Sequence, residues 1–464
     1  MLVIIMLSRI EKDEFGEMEL PLNAYYGIKS LRNKENFTVT KMKIYKQIIK
    51  SLAIVKKACA LSNYDAGYLS LEKAKALASA CDEVINGRFY NQFITDAVQG
   101  GSCTAFNINM NEVLSNRATE ILGGELGKYD LVTLEDVNLF QSANDVVPTA
   151  AKHCMIVIAK GLIVEAKKLL KSLQEKAKKY NKVIKLGRNH LQDSLPISFG
   201  QLFSSMASTI SRDINRISNC IEDLYTINLG TGSIGVLYYS DDKYVDSILK
   251  RFNEFTGMEF KHPDNTIDES RNLDEFVELG NTIKLMAINL SKTATDIRLM
   301  ASGPNCGFNE VKLPAYERLD GLNCSQASQS IPEIVNQVCF LIIGKETSIT
   351  LACEHGEMEA NAFASIVYSL IFDCLEYMRR ALRLLREYCI EGMIINEEKC
   401  AESVENSDGI IVALLKKVDY QKCLEILERK VQTGKSIKEV CLEMNIMSEE
   451  KLNKLLTVDN IKVK

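Results

Sequence analysis

The sequence has no tryptophan, seven prolines and four histidines among its 464 residues. Proline makes up about 5% of an average protein, and it interrupts helix interiors because it lacks an N–H donor and clashes with the preceding turn. Residues 22–147 and 333–464 contain no proline at all. The scarcity of proline therefore favours long, uninterrupted helices.

Features of several function classes are also missing. The net charge of −5 is spread over mixed signs, so nucleic acid or an anionic membrane is not expected as a partner. The 14 cysteines form no Cys-x-x-Cys pair or zinc-like spacing, and we expect them to be reduced, buried thiols of a cytoplasmic protein. The apolar run 2–7 is too short for a membrane span and lacks the basic start and cleavage site of a signal peptide; its role is open.

Apolar residues recur at helical spacing through the middle of the chain. Between residues 283 and 301 they are Ile283, Met286, Ala287, Leu290, Ala294 and Ile297. Spacings of three and four predict one buried stripe on a helix. Similar stretches cover residues 151–180, 199–224 and 333–388, the last interrupted near Gly356. The pattern predicts a mainly α fold with an elongated central helical bundle between N-terminal and C-terminal helical caps.

The same apolar pattern predicts three segments along the chain. Residues 1–145 are expected to mix short helices and loops in an N-terminal domain. Residues 146–392 are expected to form the central long-helix bundle, and residues 393–464 a small C-terminal helical domain.

Six ordered segments carry a resemblance to a known family. They are RIEKDEFGEMELPLNAYYGIKSLRNKENF (9–37), QGGSCTAFNINMNEVLSN (99–116), VNLFQSANDVVPT (137–149), LGRNHLQDSLP (186–196), NLGTGSIG (228–235) and TGKSIKEVCLEMNIMSEEKLNKLL (433–456). Together they resemble the aspartase/fumarase superfamily, and the last resembles the tail of aspartases rather than that of fumarases. The resemblance implies elimination of ammonia or water from a small dicarboxylate without a metal or organic cofactor. It also implies a homotetramer in which each active site is built from segments of three chains.

The matched segments assign candidate site residues. Elimination beside a carboxylate needs a base near the C–H bond, donors for the developing charge and room for the leaving group. The family's substrate-binding threonine falls on Thr104, and Ser142 and Asn144 match further substrate-binding positions, although a threonine between them is replaced by alanine. His190 matches the substrate-contacting histidine, and Asn189 replaces a threonine beside it.

One further segment keeps the family's length and loses its chemistry. Residues 302–314 and 331–340 look like the flanks of a mobile loop of the form GSSxxPxKxN, which carries the serine base and a substrate-binding lysine and asparagine. Matched without a gap, the six defined positions fall on Leu319, Asp320, Gly321, Cys324, Gln326 and Ser328. Asp320 is therefore the candidate base, with Cys324 and Ser325 as alternatives, and Gln326 and Ser328 are candidate substrate-binding residues.

The charge of this loop bears on the substrate. Gln326 replaces a cation, and Asp320 adds an anion. A unit charge pair at ~4 Å near a protein surface is worth roughly 4 kcal/mol. Each change therefore lowers the binding affinity for a dianion roughly a thousandfold. Arg318 and Lys312 are nearby cations that either compensate or stay solvated. Tyr238 and Tyr239, where the family has a different sequence, either hold a substituted ammonium by cation–π contact or fill core space.

Three functions fit these residues. The leading one is a carbon–nitrogen lyase that removes ammonia or a substituted amine from an amino acid, giving an unsaturated acid, with a substrate altered from L-aspartate. The second is a catalytically inactive, aspartase-like scaffold, favoured by the joint loss of base, lysine and asparagine. The third is a fumarase-like hydratase, which the aspartase-like tail disfavours. Substrate identity and the competence of the 319–328 loop stay open.

Overall fold

A computed structural model describes residues 7–236, 241–315 and 329–455. Helices dominate these residues, as the sequence predicted. They are α1 (Ile28–Phe37), α2 (Lys46–Asp65), α3 (Leu71–Ile85), α4 (Thr104–Ile121), α5 (Leu134–Val137), α6 (Ala143–Lys179), α7 (Phe199–Asp223), α8 (Asp242–Thr256), α9 (Thr266–Arg271), α10 (Asp274–Met300), α11 (Ser330–Glu354), α12 (Ala364–Leu385), α13 (Glu397–Glu405), α14 (Ile410–Leu414), α15 (Tyr420–Thr433), α16 (Ile437–Glu443) and α17 (Glu449–Leu455).

Short antiparallel strand pairs complete the described fold. They are β1 (Ser8–Asp13) with β2 (Gly16–Pro21), β3 (Ile184–Asn189) with β4 (Gln192–Ser198), and β5 (Val311–Lys312) with β6 (Ile394–Ile395). A 3₁₀ turn lies at Tyr90–Gln92 and a π turn at Arg386–Ile390. The pair β3–β4 positions a candidate site residue, and β5 leads towards the altered loop.

The predicted apolar stripes are confirmed as long helices. The helices α6, α7, α10, α11 and α12 contain 37, 25, 27, 25 and 22 residues. In α10, all six predicted stripe positions between Ile283 and Ile297 are fully buried. The predicted interruption near Gly356 falls between the end of α11 at Glu354 and the start of α12 at Ala364. In the N-terminal part, α2 and α4 reach 20 and 18 residues, longer than the short helices expected there.

The chain forms two compact units, each made of separated segments. The first unit comprises residues 1–162, 216–284 and 342–377, and the second comprises residues 163–215, 285–341 and 378–464. The division into three segments at about residues 145 and 392 stays a prediction. Within the second unit, α14 to α17 pack around buried side chains that include Leu414, Ile426 and Val440.

A buried carboxylate fastens the N-terminal helix of the first unit. Glu112, inside α4, accepts hydrogen bonds from the backbone N–H groups of Gly27, Lys29 and Ser30 at 2.8, 2.9 and 3.2 Å. These groups belong to the first turn of α1, whose N–H groups have no partner within the helix. A side chain at Gly27 would collide with this carboxylate, since a Cβ there would lie 2.7 Å from Glu112 Oε1. Glu112 therefore fixes the start of α1, which precedes the candidate site residues in the sequence.

Two helices, α6 and α11, are long and apolar enough to cross a membrane by length and composition alone. In α6 the most apolar window is 72% buried, as in the core helix of a globular fold, whereas in α11 only 33% is buried. The exposed apolar side chains of α11 include Phe340 and Leu341, which are 60% and 56% exposed. One chain thus leaves an apolar face of α11 open to solvent.

Candidate active site

Thr104 is the first residue of α4 and follows a turn with unusual backbone angles. Gly101, Ser102 and Cys103 have φ values of 70°, 49° and 65°. Residues other than glycine rarely adopt this left-handed backbone conformation, and those that do are enriched at functional sites. The hydroxyl of Thr104 donates to the carbonyl of Gly101, and the hydroxyl of Ser102 donates to the carbonyl of Asn361. The turn is thus held by its own hydrogen bonds, with Thr104 exposed at the helix start.

Ser142 and Asn144 lie at the start of α6, which begins at Ala143. The Ser142 hydroxyl accepts from Asn144 N at 3.2 Å, as expected of a residue capping a helix. Asn144 Nδ2 donates to the carbonyl of Ser233 at 2.9 Å, and Asn228 Nδ2 donates to the carbonyl of Asn144 at 3.0 Å. The matched segments 137–149 and 228–235, far apart in sequence, are therefore joined at this helix start.

Asp145 holds the same two segments together from the buried side. One carboxylate oxygen accepts from Ser142 N at 2.8 Å, and the other accepts from Gly232 N at 3.1 Å. The carboxylate is fully buried, and burial raises the pKa of Asp145 to about 7. The sequence analysis did not single out this residue, although it lies within the matched segment.

Lys56 is a second buried group that the sequence analysis missed. Its ammonium donates to Asn138 Oδ1 at 3.0 Å and Gln141 Oε1 at 2.9 Å, on the residues just before Ser142. Burial lowers the pKa of Lys56 to about 8, against the opposing influence of Asp145. A lone lysine within the apolar face of α2 was the available signal. We refer to Thr104, Ser142 and Asn144 as the helix-start cluster.

A small cavity lies between the turn that precedes Thr104 and the helix start that contains Asn144. Ser102, two residues before Thr104, and Asn144 line the same cavity of about 20 Å³, which is room for about one water molecule. Tyr368 and Lys152 also line it. The Tyr368 hydroxyl is buried and has no hydrogen-bond partner among the described residues, whereas the Lys152 ammonium pairs with Glu275 at 2.8 Å. The geometry brings the surroundings of Thr104 and Asn144 close together.

His190 lies at the tip of the β3–β4 hairpin in the second unit. Asn189 pairs with Gln192, so His190 and Leu191 form a two-residue turn. Their φ values are 53° and 62°. Positive φ at both central residues is the geometry of a type I′ turn, which normally selects asparagine or glycine. A histidine in this backbone conformation is energetically unfavourable. Asn189 and His190 are both exposed to solvent.

A buried ionic triad supports this hairpin from below. Glu310, whose side chain is fully buried, lies 2.8 Å from Arg188 Nη1 and 3.3 Å from Lys185 Nζ. The Arg188 guanidinium also stacks over the ring of Phe308 at 4.0 Å. Lys185 and Arg188 belong to β3, and Glu310 precedes β5. The triad therefore ties the His190 hairpin to the segment that leads into the altered loop.

The altered loop itself lies outside the described residues. This applies to Asp320, Gln326 and Ser328, and equally to the alternatives at 324 and 325, to Arg318 and to Tyr238 and Tyr239. Thr104, Ser142 and Asn144 belong to the first unit, and Asn189 and His190 to the second. The roles of all these residues stay predictions.

Across residues 7–236, 241–315 and 329–455, no group of three or more histidine, cysteine, aspartate or glutamate side chains is placed to hold a metal ion. The expectation of a cofactor-free site stays a prediction.

Comparison with known proteins agrees with this architecture. A protein family described as Lyase matches residues 16–318. An aspartate ammonia-lyase of a Bacillus species is 38% identical over 97% of this chain and 96% of its own length. An aspartate ammonia-lyase of Helicobacter pylori is 36% identical over 98% of this chain and 97% of its own length.

Solved structures give the same result. A fumarate lyase:delta crystallin of Brucella melitensis superposes with a TM-score of 0.93 at 33% identity, covering 97% of this chain and 98% of its own. A class II fumarase of Schistosoma mansoni gives a TM-score of 0.91 at 27% identity, covering 97% and 98%. The fold and site segments thus define a lyase, and the chain belongs to the aspartase/fumarase superfamily.

Proposed function

We propose that this protein is an aspartase-like carbon–nitrogen lyase whose substrate differs from L-aspartate. It removes ammonia or a substituted amine from an amino acid and leaves an unsaturated acid. The observation that carries the proposal is the pre-organised helix-start cluster, which the chain keeps although its loop sequence has lost a cation at Gln326 and gained an anion at Asp320. Relatives named aspartate ammonia-lyase, at 38% and 36% identity over nearly the whole chain, support the reaction class.

The proposed reaction breaks a C–H bond and a C–N bond of the substrate. A base, Asp320 as first candidate, takes the proton from the carbon next to the one bearing nitrogen. The electron pair of the C–H bond becomes the carbon–carbon double bond, and nitrogen leaves with the C–N pair. Ser142, Asn144 and Asn189 are the proposed donors to the carboxylate on which negative charge develops. Thr104 joins them when its single hydroxyl proton turns from the Gly101 carbonyl to the substrate.

The loop narrows the class of substrate. Without its lysine, and with an added carboxylate, the loop disfavours a second carboxylate on the ligand. A monocarboxylate with a bulky or cationic group fits better, and betaine-type amino acids that release trimethylamine are one candidate. His190 is proposed to contact this substrate, with Gln326 and Ser328 as further binding residues.

The test is amine release from a panel of amino acids and betaines by the purified protein. Turnover of at least one compound is expected, with Asp320→Asn and His190→Asn each lowering kcat strongly. His355→Asn is the matched control, because His355 is an exposed histidine beside Glu354. Normal turnover of L-aspartate would overturn the altered-substrate proposal.

A second function rests on a different observation. The loop has lost the base, the lysine and the asparagine together, which a scaffold without catalysis tolerates. If no compound in the panel releases amine while the protein assembles normally, the scaffold is the better description. The retained Thr104, Ser142, Asn144 and His190 argue against it.

We further propose a homotetramer with active sites shared by three chains. The apolar face of α11, with Ile334, Phe340 and Leu341 exposed, supports a partner surface because such patches rarely stay open on monomers. Light scattering should give four chains. Co-assembly of His190→Asn chains with Asp320→Asn chains should restore activity that neither variant has, since some mixed sites contain both native residues.

A cytoplasmic location is proposed as well. All 13 described cysteines are free, and 11 of them are buried. Free thiols are typical of a reducing compartment.

A further inference from the structure

The segments that precede and follow the altered loop in the sequence line a groove in the second unit. We call it the flank groove. It encloses about 540 Å³ between the end of α10 and the start of α11, with β5 along one side. Lys312 lines it just before the loop, and Gln329 lines it just after. The groove is large enough for a small amino acid and for water around it.

The charge balance of the flank groove is positive. Two cations, Arg298 and Lys312, line it together with one carboxylate, Glu333. Arg298 Nη2 donates to Glu333 Oε1 at 2.9 Å, so these two charges offset each other. Lys312 is exposed, and no carboxylate of the described residues lies within ion-pair distance of its ammonium. Among the described residues, the Lys312 ammonium is therefore the one charge of the groove without a partner of opposite sign.

Two buried atoms in the groove also lack partners. Arg298 Nε and Gln329 Oε1 are shielded from solvent, and neither has a hydrogen bond among the described residues. The rest of the Gln329 amide is fixed, since its Nε2 donates to the carbonyl of Ala301 at 3.0 Å. Buried polar groups in native proteins are nearly always paired. Within the described part of the chain, one donor and one acceptor at this groove are therefore without complementary groups.

The chemistry of these groups identifies a ligand class. Arg298 Nε and the Lys312 ammonium seek an acceptor with negative charge, as a carboxylate provides. Gln329 Oε1 seeks a donor, as an ammonium group provides. A zwitterion with one carboxylate satisfies both and matches the single unpaired cation.

We propose that the flank groove binds the carboxylate of a zwitterionic amino acid and that Lys312 is the residue that selects it. Lys312 supplies, from beside the loop, the positive charge that is absent at Gln326 within it. That this amino acid is the substrate rests on the proposed function; the binding itself does not depend on turnover.

The test is calorimetric titration of the full-length protein with β-alanine, a zwitterion with one carboxylate, and with propylamine, which lacks the carboxylate. We expect β-alanine to bind and propylamine not to bind. Lys312→Gln should weaken β-alanine binding at least about tenfold, because a partly screened ion pair is lost. Lys312→Arg should restore most of the affinity.

Lys182→Gln is the matched control. Lys182 is an exposed lysine of the same unit that lines a different groove, and its substitution should leave affinity unchanged. Unchanged melting temperatures would show that the variants fold. Equal affinity of the native protein and Lys312→Gln overturns the proposal, and so does failure of β-alanine to bind at all, as when a second copy covers the groove. If β-alanine binds through Lys312 while no compound releases amine, the groove stands and the proposed lyase activity falls.

Discussion

The helix-start cluster of the first unit and the flank groove of the second treat their polar groups differently. Around Ser142 and Asn144, backbone and side-chain groups are joined by hydrogen bonds of 2.8 to 3.2 Å within the chain. In the flank groove, Lys312, Arg298 Nε and Gln329 Oε1 lack partners among the described residues. From this difference we infer that the helix-start cluster is ordered before a ligand binds, whereas the polar groups of the flank groove gain their partners from the proposed ligand.

The largest expected effect comes from restoring the family's charges in the loop. Asp320→Ser combined with Gln326→Lys removes an anion and adds a cation, so the protein should gain L-aspartate turnover. We expect kcat/KM for L-aspartate to rise by at least roughly a thousandfold, measured as ammonium release. Gln432→Lys, which adds a cation at an exposed position of α15, is the control and should change nothing. An unaltered preference in the double variant would show that the loop charges do not select the substrate.

Removing the carboxylate beneath the His190 hairpin should cost the most stability. Glu310→Ala leaves the buried Lys185 and the half-buried Arg188 without their partner, and breaking such a pair costs about 3–5 kcal/mol. Urea unfolding at one fixed protein concentration measures the loss. Asp296→Ala breaks the exposed pair with Lys292 in the same unit and should cost at most about 1 kcal/mol. Equal losses in the two variants would contradict the buried triad.

Acid should weaken the first unit through His153. Burial lowers the pKa of His153 to about 4 from an ordinary value of 6.5. Folded His153 therefore binds fewer protons than unfolded His153 between these values, so its contribution to stability is lost as the pH falls from about 6.5 to 4. The raised pKa of Asp145 acts in the opposite sense over the same range, so the effect of His153 is measured as a difference between variants. The shift corresponds to about 3 kcal/mol.

His153→Gln should remove this loss of unfolding free energy on acidification, because glutamine takes up no proton. His355→Gln, at an exposed site, should keep the native slope. A native slope in the His153 variant would mean that another group titrates there.

The smallest effects separate two helix starts that look alike. Ser70 caps α3 by accepting from Lys73 N, and Ser142 accepts from Asn144 N at the start of α6. Replacing either serine with alanine should cost about 1 kcal/mol of unfolding free energy. Only Ser142→Ala should also lower turnover, since only its hydroxyl is proposed to meet the substrate. Loss of turnover in both variants would make the helix-start cluster structural.

Local sequence patterns were sufficient to predict the helices. They could not predict contacts between residues that are far apart in the sequence. The stripe from Ile283 to Ile297 and the break near Gly356 follow from apolar spacing and were confirmed. Only short helices were expected in residues 1–145, whereas α2 has 20 residues and includes the buried Lys56. Its partners, Asn138 and Gln141, lie 82 and 85 residues away.

The candidate site shows the same division. Thr104, Ser142, Asn144 and His190 could be located by matching segments, but not the groups that hold them. Glu310 is 122 residues from Arg188, and no local period reports such a pair. The orphan atoms of the flank groove are also invisible in the sequence, because a missing partner is a property of three-dimensional packing.

The open face of α11 has a consequence for the life of the chain in a cell. In the proposed tetramer, a newly made subunit exposes Phe340 and Leu341 to solvent until a second subunit covers them. During that interval it resembles a misfolded protein to chaperones and proteases, which bind exposed apolar stretches. Abundance should therefore rise more steeply than in proportion to synthesis, since pairing competes with degradation and becomes faster as subunits accumulate.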